Sequence, residues 1–323
     1  MENIKVVCIG SSCKDIFFPT KEGIVIKTPE DVTSQKKIAF EVGEKYHIND
    51  RFESLGGCGV NQSIGLTRLG VPAACYTVLG NDVIGEWMRQ EIQKEGVDDS
   101  LIVNENCFTG LSAIIVNEIS GERVIFSNQE AMERMKIDVA KLESADWISV
   151  SDLSGDWKAI MDNILTMDFK TGARIVFNPR GRNIQEDAQK VFDLAKEVEI
   201  FFVNKDEAIE ILAARKADQG KLNDEEFLLK ELKKSGARVV VITDGGRGAW
   251  ACDGNEIVHE EALLIKTMDT TGAGDAFASG FLAAHIKGKF LRECVKWGIK
   301  NGASVAQHYG GVEGLLKADE IEK

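Results

Sequence analysis

Short runs of apolar residues alternate with amphipathic segments along the second half of the chain. The apolar runs have the length and composition of buried strands and lie at Trp147–Val150, Arg174–Phe177, Ile200–Val203 and Arg238–Thr243. The amphipathic segments have the helical period and lie near Lys158–Asp168, Gln185–Lys196, Lys205–Arg215, Glu225–Ser235, Ala276–Lys287 and Leu291–His308. Because strands that alternate with helices are joined by right-handed crossovers, the pattern predicts a parallel sheet with helices on both faces.

The first half of the chain adds a few elements of the same kind. Its pattern predicts strands at Val6–Ile9 and Ala74–Leu79 and a helix over Asp82–Glu95. Another helix is expected to begin near Asn61 and to end at Leu69-Gly70-Val71-Pro72, where glycine supplies a C-cap and proline a stop.

Other stretches have the pattern of small hairpins outside the main core. Between about Phe17 and Phe52, short β-like runs are separated by glycine, proline and charged residues, and they lie at Ile24–Ile26, Ile38–Phe40 and Tyr46–Ile48. Two further hairpins are predicted where a pair of β-like runs flanks a turn signal. One pair is Leu111–Val116 with Arg123–Phe126, and the other is Trp250–Cys252 with Ile257–His259.

Composition narrows the function classes. The 323 residues are 44% hydrophobic and carry a formal net charge of −13, so the chain is globular and repels nucleic acid and anionic membranes. We find no secretory leader pattern and no run of eighteen apolar residues, and we expect a cytoplasmic protein without nucleic-acid or membrane partners. The seven scattered cysteines predict reduced thiols, and the four histidines lack the spacing of a zinc site.

The strongest chemical motif is Asp269-Thr270-Thr271-Gly272-Ala273-Gly274-Asp275, which opens an apolar helix. Small residues at Gly272, Ala273 and Gly274 allow a ligand close to the backbone, and the N–H groups of the helix would form an anion hole for a transferred phosphoryl group. Asp275 stands where an incoming hydroxyl would lie and can accept its proton as a general base. The alternative is that Asp275 only favours the first helical turn and that the glycines only turn the chain.

A second glycine motif precedes the first long helix. It reads Gly56-Gly57-Cys58-Gly59-Val60-Asn61-Gln62-Ser63, in which Asn61 offers both a donor and an acceptor to sugar hydroxyls. The alternative is a simple glycine turn with Asn61 as N-cap. The motif is not a dinucleotide fingerprint, because Gln62 stands where a third glycine is required, and Gly10-Ser11-Ser12 provides none after the first strand.

Together the two motifs resemble the signatures of the PfkB-type, ribokinase-like carbohydrate kinases, and the resemblance spans nearly the whole chain. Gly56–Gly80 is similar to the N-terminal signature and Asp269–Leu282 to the C-terminal one. The resemblance implies an α/β fold of three α/β/α layers, with a mostly parallel central sheet and a small β-strand lid. The core would comprise residues 1–16, 53–107 and 126–323, and the lid residues 17–52 and 108–125. In some relatives the lid strands pair between subunits, which implies a homodimer.

The resemblance also implies roles for single residues. Asp15, Gly56, Gly57 and Asn61 would bind the sugar. Asn204 and Glu207 would organise Mg²⁺ and the phosphates of ATP, largely through water. Thr243, Gly245 and Gly248 would lie beneath the nucleotide, with Asn301 beside the adenine. Asp269 and Thr271 would form part of a monovalent-cation (K⁺) site found in some members. Taken singly, Asp15 also fits a turn, Glu207 a solvated first-turn charge and Asn301 a polar helix face.

Two departures bear on the substrate. Cys58 stands where several members, ribokinase included, have lysine, which disfavours ribose. Asn178-Pro179-Arg180-Gly181-Arg182 resembles the DPNxR stretch of 2-keto-3-deoxygluconate kinases, so Arg182 is expected to bind the carboxylate of an acidic sugar, unless it is a solvated loop arginine.

The expected function is an ATP-dependent kinase that phosphorylates a hydroxyl, expected to be a primary alcohol, of a small sugar or sugar acid. A nucleoside kinase of the same family and a non-catalytic nucleotide or sugar sensor are the alternatives. An intact Asp275 argues against the sensor, because a sensor needs no base.

Overall fold

In the part of the chain that the structure describes, the strands belong to one large sheet and three small ones. The computed structural model describes residues 5–28, 36–119, 123–167 and 172–323. The strands are β1 (Val6–Gly10), β2 (Cys13–Thr20), β3 (Ile24–Lys27), β4 (Lys36–Ala39), β5 (Phe52–Gly56), β6 (Ala73–Tyr76), β7 (Val78–Gly80), β8 (Val103–Glu105), β9 (Leu111–Asn117), β10 (Arg123–Asn128), β11 (Trp147–Ser151), β12 (Arg174–Asn178), β13 (Ile200–Asn204), β14 (Val239–Thr243), β15 (Ala249–Cys252) and β16 (Ile257–Glu260).

The helices lie mostly between the strands of the large sheet. They are α1 (Cys58–Arg68), α2 (Val83–Lys94), α3 (Glu130–Glu133), α4 (Trp157–Leu165), α5 (Gly181–Leu194), α6 (Lys205–Ala214), α7 (Glu225–Lys233), α8 (Ala273–Ile286), α9 (Leu291–Val305) and α10 (Ala318–Ile321). Within the described ranges, no helix is long and apolar enough to cross a bilayer.

The large sheet has the strand order β16-β15-β14-β13-β12-β11-β1-β6. The pairs from β6 to β14 are parallel, and β15 and β16 form an antiparallel edge hairpin. Side chains alternate between the two faces of each strand. Val7 and Ile9 therefore belong to a cluster with residues of α4 to α7, and Val6 and Cys8 to a cluster with residues of α8 and α9. Burial on both faces explains why these strands are almost continuously apolar.

A second sheet, the lid sheet, has the order β10-β9-β2-β5. Its β2 begins at Cys13 and its β5 ends at Gly56, directly before α1, so the lid sheet starts at the carboxyl edge of the large sheet. The rings of Phe17 and Phe52 pack on Tyr309, with centroids 5.7 and 5.0 Å away. These aromatic contacts fix the lid sheet against a loop near the end of the chain.

Most of the predicted pattern is confirmed. The four apolar runs of the second half are neighbouring parallel strands, and both hairpin signals join antiparallel strands. β3 pairs with β4 as a separate antiparallel ladder. The predicted helix end at Asp168 lies outside the described residues.

Three local predictions were wrong. Helix α1 begins at Cys58 rather than near Asn61, because the backbone N–H of Cys58 finds a partner in Ser11 Oγ and the first turn is buried. The predicted strand Ala74–Leu79 is divided at Thr77, and its second half, β7, pairs with β8. Tyr46–Ile48 is not a strand, and the Tyr46 hydroxyl instead accepts a bond from the N–H of Glu41.

Candidate active site

Asp275 lies in the first turn of α8, and only 3% of its surface is exposed. Gly272 precedes the helix with φ +74°, and a Cβ there would lie 2.4 Å from the Cα of Gly311. Only glycine fits that conformation and that gap. The turn aims the unpaired N–H groups and positive dipole end of α8 at the space beside Asp275.

Three side chains donate to the carboxylate of Asp275. Asn61 Nδ2 is 2.9 Å from Oδ2, and Gln62 Nε2 is 3.4 Å from Oδ1. Arg180 Nη2 is 2.6 Å from Oδ1 and forms an ion pair with it. Two of the donors come from α1 and the third from the loop after β12, so the two glycine motifs predicted to share a site do meet.

Arg180 was missed by the sequence analysis, which chose Arg182. Arg180 Nη2 also lies 2.6 Å from Cys58 Sγ, and the Nε of Arg180 is buried without a hydrogen-bond partner among the described residues. Burial raises the pKa of the Cys58 thiol well above its ordinary value, so Cys58 is a neutral neighbour. A buried donor without a partner is a group that a bound ligand or water would satisfy.

Arg182 lies at the surface instead. Its side chain is 56% exposed and forms an ion pair with Glu133. Arg180 is the N-cap of α5, so its side chain leaves the chain before the helix begins, whereas Arg182 is already on the outer face of the first turn. The structure thus pairs Arg182 with Glu133 and not with a residue of the site, and its contact with a substrate stays a prediction. The sequence could have indicated Arg180 through its position. It lies nearer than Arg182 to the carboxyl end of a buried parallel strand, which is where sites of this fold class lie.

Asp15 and Gly56 lie on the paired strands β2 and β5 of the lid sheet. A Cβ on Gly56 would lie 2.2 Å from Asp15 Oδ2, so glycine there makes room for the carboxylate. Burial raises the pKa of Asp15, and the Cys13 thiol donates to Oδ1 over 3.2 Å. Gly57, with φ +92°, is the N-cap of α1.

Asp152 is a second residue that the sequence analysis missed. It follows β11 with φ +48°, a strained conformation for a residue other than glycine. The Ser11 hydroxyl donates to Asp152 Oδ2 over 2.6 Å and accepts from the N–H of Cys58 over 3.0 Å. Strain held by specific partners at a strand end is typical of a functional site.

A cleft of about 400 Å³ lies on the other side of the α8 N-terminus. The predicted nucleotide residues Thr243, Gly245 and Gly248 line it together with Ala273 and Gly274. Its remaining wall is largely apolar and includes Leu263, Ile265, Phe277, Ile299, Ala303 and Ala306. Small residues near the N-terminus of α8 and an apolar slot beyond it suit a flat ring that carries phosphates.

Asn301 does not line this cleft. Its side chain is fully buried, donates to the carbonyl of Ala276 over 2.8 Å and accepts from the N–H of Leu316 over 2.9 Å. The face of α9 that reaches the cleft carries Ile299, Gly302, Ala303 and Ala306, at the spacing of one helical face, and position 301 lies off that face. The expectation that Asn301 lies beside an adenine is therefore corrected.

Asn204 and Glu207 lie at the carboxyl end of β13, beside Thr243 of β14. They cap α6 reciprocally, with Asn204 N to Glu207 Oε2 and Glu207 N to Asn204 Oδ1 both 2.8 Å. Burial raises the pKa of Glu207. Among the described residues, no cluster of three or more acidic, histidine or cysteine side chains could hold a metal. The pair therefore fits Mg²⁺ only as a partner through water and phosphate oxygens.

Asp269 and Thr271 lie in the loop that leads to Gly272. The N–H and hydroxyl of Thr271 donate to Asp269 Oδ1 over 3.1 and 2.9 Å. Arg123 of the lid sheet lies 3.1 Å from the same oxygen. The expected monovalent-cation residues thus already have a cationic side chain as a neighbour.

The fold and the site define a class of protein. The N-terminus of a buried helix, an apolar cleft and a buried carboxylate meet at the carboxyl ends of parallel strands, as in enzymes that bind phosphorylated ligands. Residues 4–318 match the family model described as pfkB family carbohydrate kinase, and the chain belongs to that family. Its reaction class is therefore phosphoryl transfer to an alcohol group.

Several known proteins are similar along most of their length. A protein of Archaeoglobus fulgidus named as an uncharacterized sugar kinase is 28% identical over 266 residues, which cover 79% of this chain and 99% of the relative. The 2-dehydro-3-deoxygluconokinase of Bacillus subtilis is 26% identical over 299 residues, 88% of this chain and 90% of the relative. The ribokinase from Cryptococcus neoformans var. grubii serotype A, solved in complex with ADP, superposes with a TM-score of 0.78 at 20% identity and 99% coverage of both chains. The expected ribokinase-like fold is confirmed.

Alanine at Gly274 and alanine at Gly272 are expected to have different consequences. A Cβ at Gly274 meets no protein atom within 4 Å, so Gly274→Ala should keep its melting temperature. Its methyl group would stand at the lining of the cleft and lower turnover roughly 100-fold. In Gly272→Ala the new Cβ would clash with Gly311 and the positive φ would be strained, so the free energy of unfolding should fall by about 1–3 kcal/mol. Calorimetry and a kinase assay separate the two, and full turnover in Gly274→Ala would contradict an anion hole at this turn.

Proposed function

We propose that the chain transfers the terminal phosphoryl group of ATP to a hydroxyl, expected to be a primary alcohol, of a small sugar acid. The observation that carries the proposal is the ion pair between the buried carboxylate of Asp275 and Arg180 at the N-terminus of α8. It puts a carboxylate able to take a proton and a cation able to bind an acidic group on the same side of an anion-binding helix end.

Asp275 is the proposed general base. Asn61 and Gln62 hold its carboxylate in one orientation, next to the N–H groups of α8. A hydroxyl that lies against this carboxylate would give it a proton while its oxygen attacks the terminal phosphorus of ATP, whose charge the amides of Gly272, Ala273 and Gly274 stabilise. The bond from that phosphorus to the oxygen bridging to the β-phosphate breaks, and ADP leaves with the bonding electron pair. Asp275 and two of these residues, Ala273 and Gly274, lie in the same first turn of α8, so the helix itself sets the distance between them.

ATP would occupy the apolar cleft, with its phosphates over Thr243, Gly245 and Gly248. Asn204 and Glu207 would hold Mg²⁺ through water at the neighbouring strand end. When bound, that ion neutralises charge on the phosphate oxygens. Asp15, Gly56, Gly57 and Asn61 would contact the hydroxyls of the acceptor, and the buried carboxylate of Asp15 is a strong acceptor for them.

An acidic acceptor is favoured over a neutral sugar because of Arg180. Without a ligand, its guanidinium is paired with Asp275 and its Nε is unused. A carboxylate of the substrate could take two of its N–H donors, since guanidinium binds carboxylates in a fork. This would also draw the cation away from the carboxylate that must accept the proton.

Asp275→Asn is expected to reduce turnover by at least about 100-fold, because an amide cannot accept the hydroxyl proton. The nucleotide cleft is unchanged, so ATP affinity by calorimetry should stay within about threefold. Glu86→Gln is the matched control, since Glu86 is also a first-turn carboxylate, on α2, and its loss should leave turnover unchanged. Near-normal turnover in Asp275→Asn would remove Asp275 from the mechanism.

A panel of neutral sugars, sugar acids and nucleosides, assayed for ATP consumption and for binding, decides the acceptor. Turnover limited to nucleosides would favour the nucleoside kinase. Binding without ATP consumption by any acceptor would favour the sensor.

Arg180→Gln and Arg182→Gln form a pair that tests the acceptor class. The ratio of kcat/KM for a sugar acid to that for its neutral sugar should fall about 10- to 100-fold in Arg180→Gln, as a charged hydrogen bond is lost. The ratio removes any effect on Asp275 that both substrates share. Arg182→Gln should leave the ratio unchanged. A fall in Arg182→Gln alone would instead support the DPNxR resemblance.

A homodimer through the lid is also proposed. Large apolar side chains are exposed on β3, on β10 and just after β4, namely Ile24, Ile26, Phe40, Val42, Ile125 and Phe126. Exposed apolar groups clustered on two outer hairpins are typical of an interaction surface. Sedimentation equilibrium should give twice the chain mass, and Ile24→Lys with Phe126→Lys should give the single mass. A wild-type monomer at assay concentrations would contradict the dimer.

A further inference from the structure

Arg123 connects the lid sheet to the loop that carries the anion hole. It is the first residue of β10, and its side chain reaches across to the core. Nη1 donates to Thr270 Oγ1 over 2.9 Å and lies 3.1 Å from Asp269 Oδ1. The Arg123 side chain is 32% exposed, whereas that of Asp269 is only 1% exposed.

Asp269 needs a positive charge beside it. Its Oδ1 accepts from the N–H and the hydroxyl of Thr271, and its Oδ2 is buried with no hydrogen-bond partner among the described residues. An ionised carboxylate so deeply buried is unfavourable unless it is paired. Within the described ranges, Arg123 is the basic side chain that lies within ion-pair distance of it.

The same contact bears on the monovalent cation that the family resemblance implies at Asp269 and Thr271. A K⁺ ion beside Asp269 would share this carboxylate with the guanidinium of Arg123 and would be repelled by it. With β10 in this position, an additional cation would be left only the unpartnered Oδ2 of Asp269, and it would lie beside the guanidinium charge already held at Oδ1. The positive charge at this loop comes from the chain itself.

We propose that Arg123 is a positioning residue that takes the place of a monovalent cation. It neutralises Asp269, and Asp269 in turn holds Thr271, the residue directly before Gly272. The anion hole is then correctly formed only when β10 lies over the core, so phosphoryl transfer is coupled to the lid and is independent of K⁺. The kinetic part of this inference rests on the proposed phosphoryl transfer. The part that concerns Arg123 in place of a cation beside Asp269 does not rest on it.

Because the loop from Asp269 to Gly272 is short, a displacement of Asp269 also displaces Gly272. Thr271 is tied to Asp269 by two bonds, and Gly272 is held against Gly311. Losing Arg123 leaves Asp269 unpaired in a region where Asp15 is also buried, and the two carboxylates repel each other. The loop would then shift until a cation or water reaches Asp269.

The test compares wild type with Arg123→Gln and Arg123→Lys, each in KCl and in tetramethylammonium chloride of equal ionic strength. Wild type should turn over equally in both salts, within about twofold. Arg123→Gln should lose roughly 10- to 100-fold in kcat without K⁺, with a smaller change in KM for ATP, and KCl should restore part of the loss. Arg123→Lys keeps the charge and should stay independent of K⁺.

A melting experiment gives a readout that needs no turnover. KCl should raise the melting temperature of Arg123→Gln relative to tetramethylammonium chloride, because a bound cation stabilises the folded state, and should not raise that of wild type. Arg51→Gln, which removes an exposed arginine paired with Glu53 at the start of β5, is the control and should behave as wild type.

Activation of wild type by K⁺, or unchanged kcat in Arg123→Gln, would overturn the proposal. If no acceptor is turned over at all, the proposed function fails, and the melting experiment still decides the role of Arg123.

Discussion

The buried carboxylate of Asp275 is the constraint on which the site depends. A charge so far from water must be paired, and its donors come from α1 and from the loop after β12. Those elements meet at α8 only because β1 lies beside β11 and β11 beside β12 in the parallel sheet. The strand order of the large sheet therefore brings together the hydrogen-bond donors that this one buried side chain needs.

The fold could be predicted from the sequence because its signals are periodic and repeated. Burial on both faces makes β11 to β14 apolar throughout, and glycine and proline mark where helices stop. The wrong predictions have local causes. Tyr46–Ile48 has the composition of a strand but pairs with no strand in the described part of the chain. Helix α1 starts early because Ser11, in the loop between β1 and β2, satisfies its first N–H group. Such partners cannot be seen in a single segment.

The site was predictable in outline and not in detail. Asp275, Asn61 and the glycines are adjacent in sequence to the helix starts that position them, so their motifs reveal them. Arg180 and Arg182 are two residues apart, and only the direction in which each side chain leaves the start of α5 separates an ion pair with Asp275 from one with Glu133. Arg123 is distant in sequence from Asp269, and their contact depends on how the lid sheet rests on the core.

Charge explains how an acidic protein can bind anionic ligands. The net charge of −13 repels both ATP and an acidic sugar, so the attraction must be local. Asp275 and Asp269 each have an arginine partner, and the N-terminus of α8 adds its dipole between them. Asp15 has no ion-pair partner among the described residues, and burial raises its pKa. A neutral hydroxyl is the group that suits Asp15, because it donates a hydrogen bond without bringing a charge. In this proposal different side chains bind the two kinds of group on the acceptor. Arg180 binds the acid group, and Asp15 binds the hydroxyls.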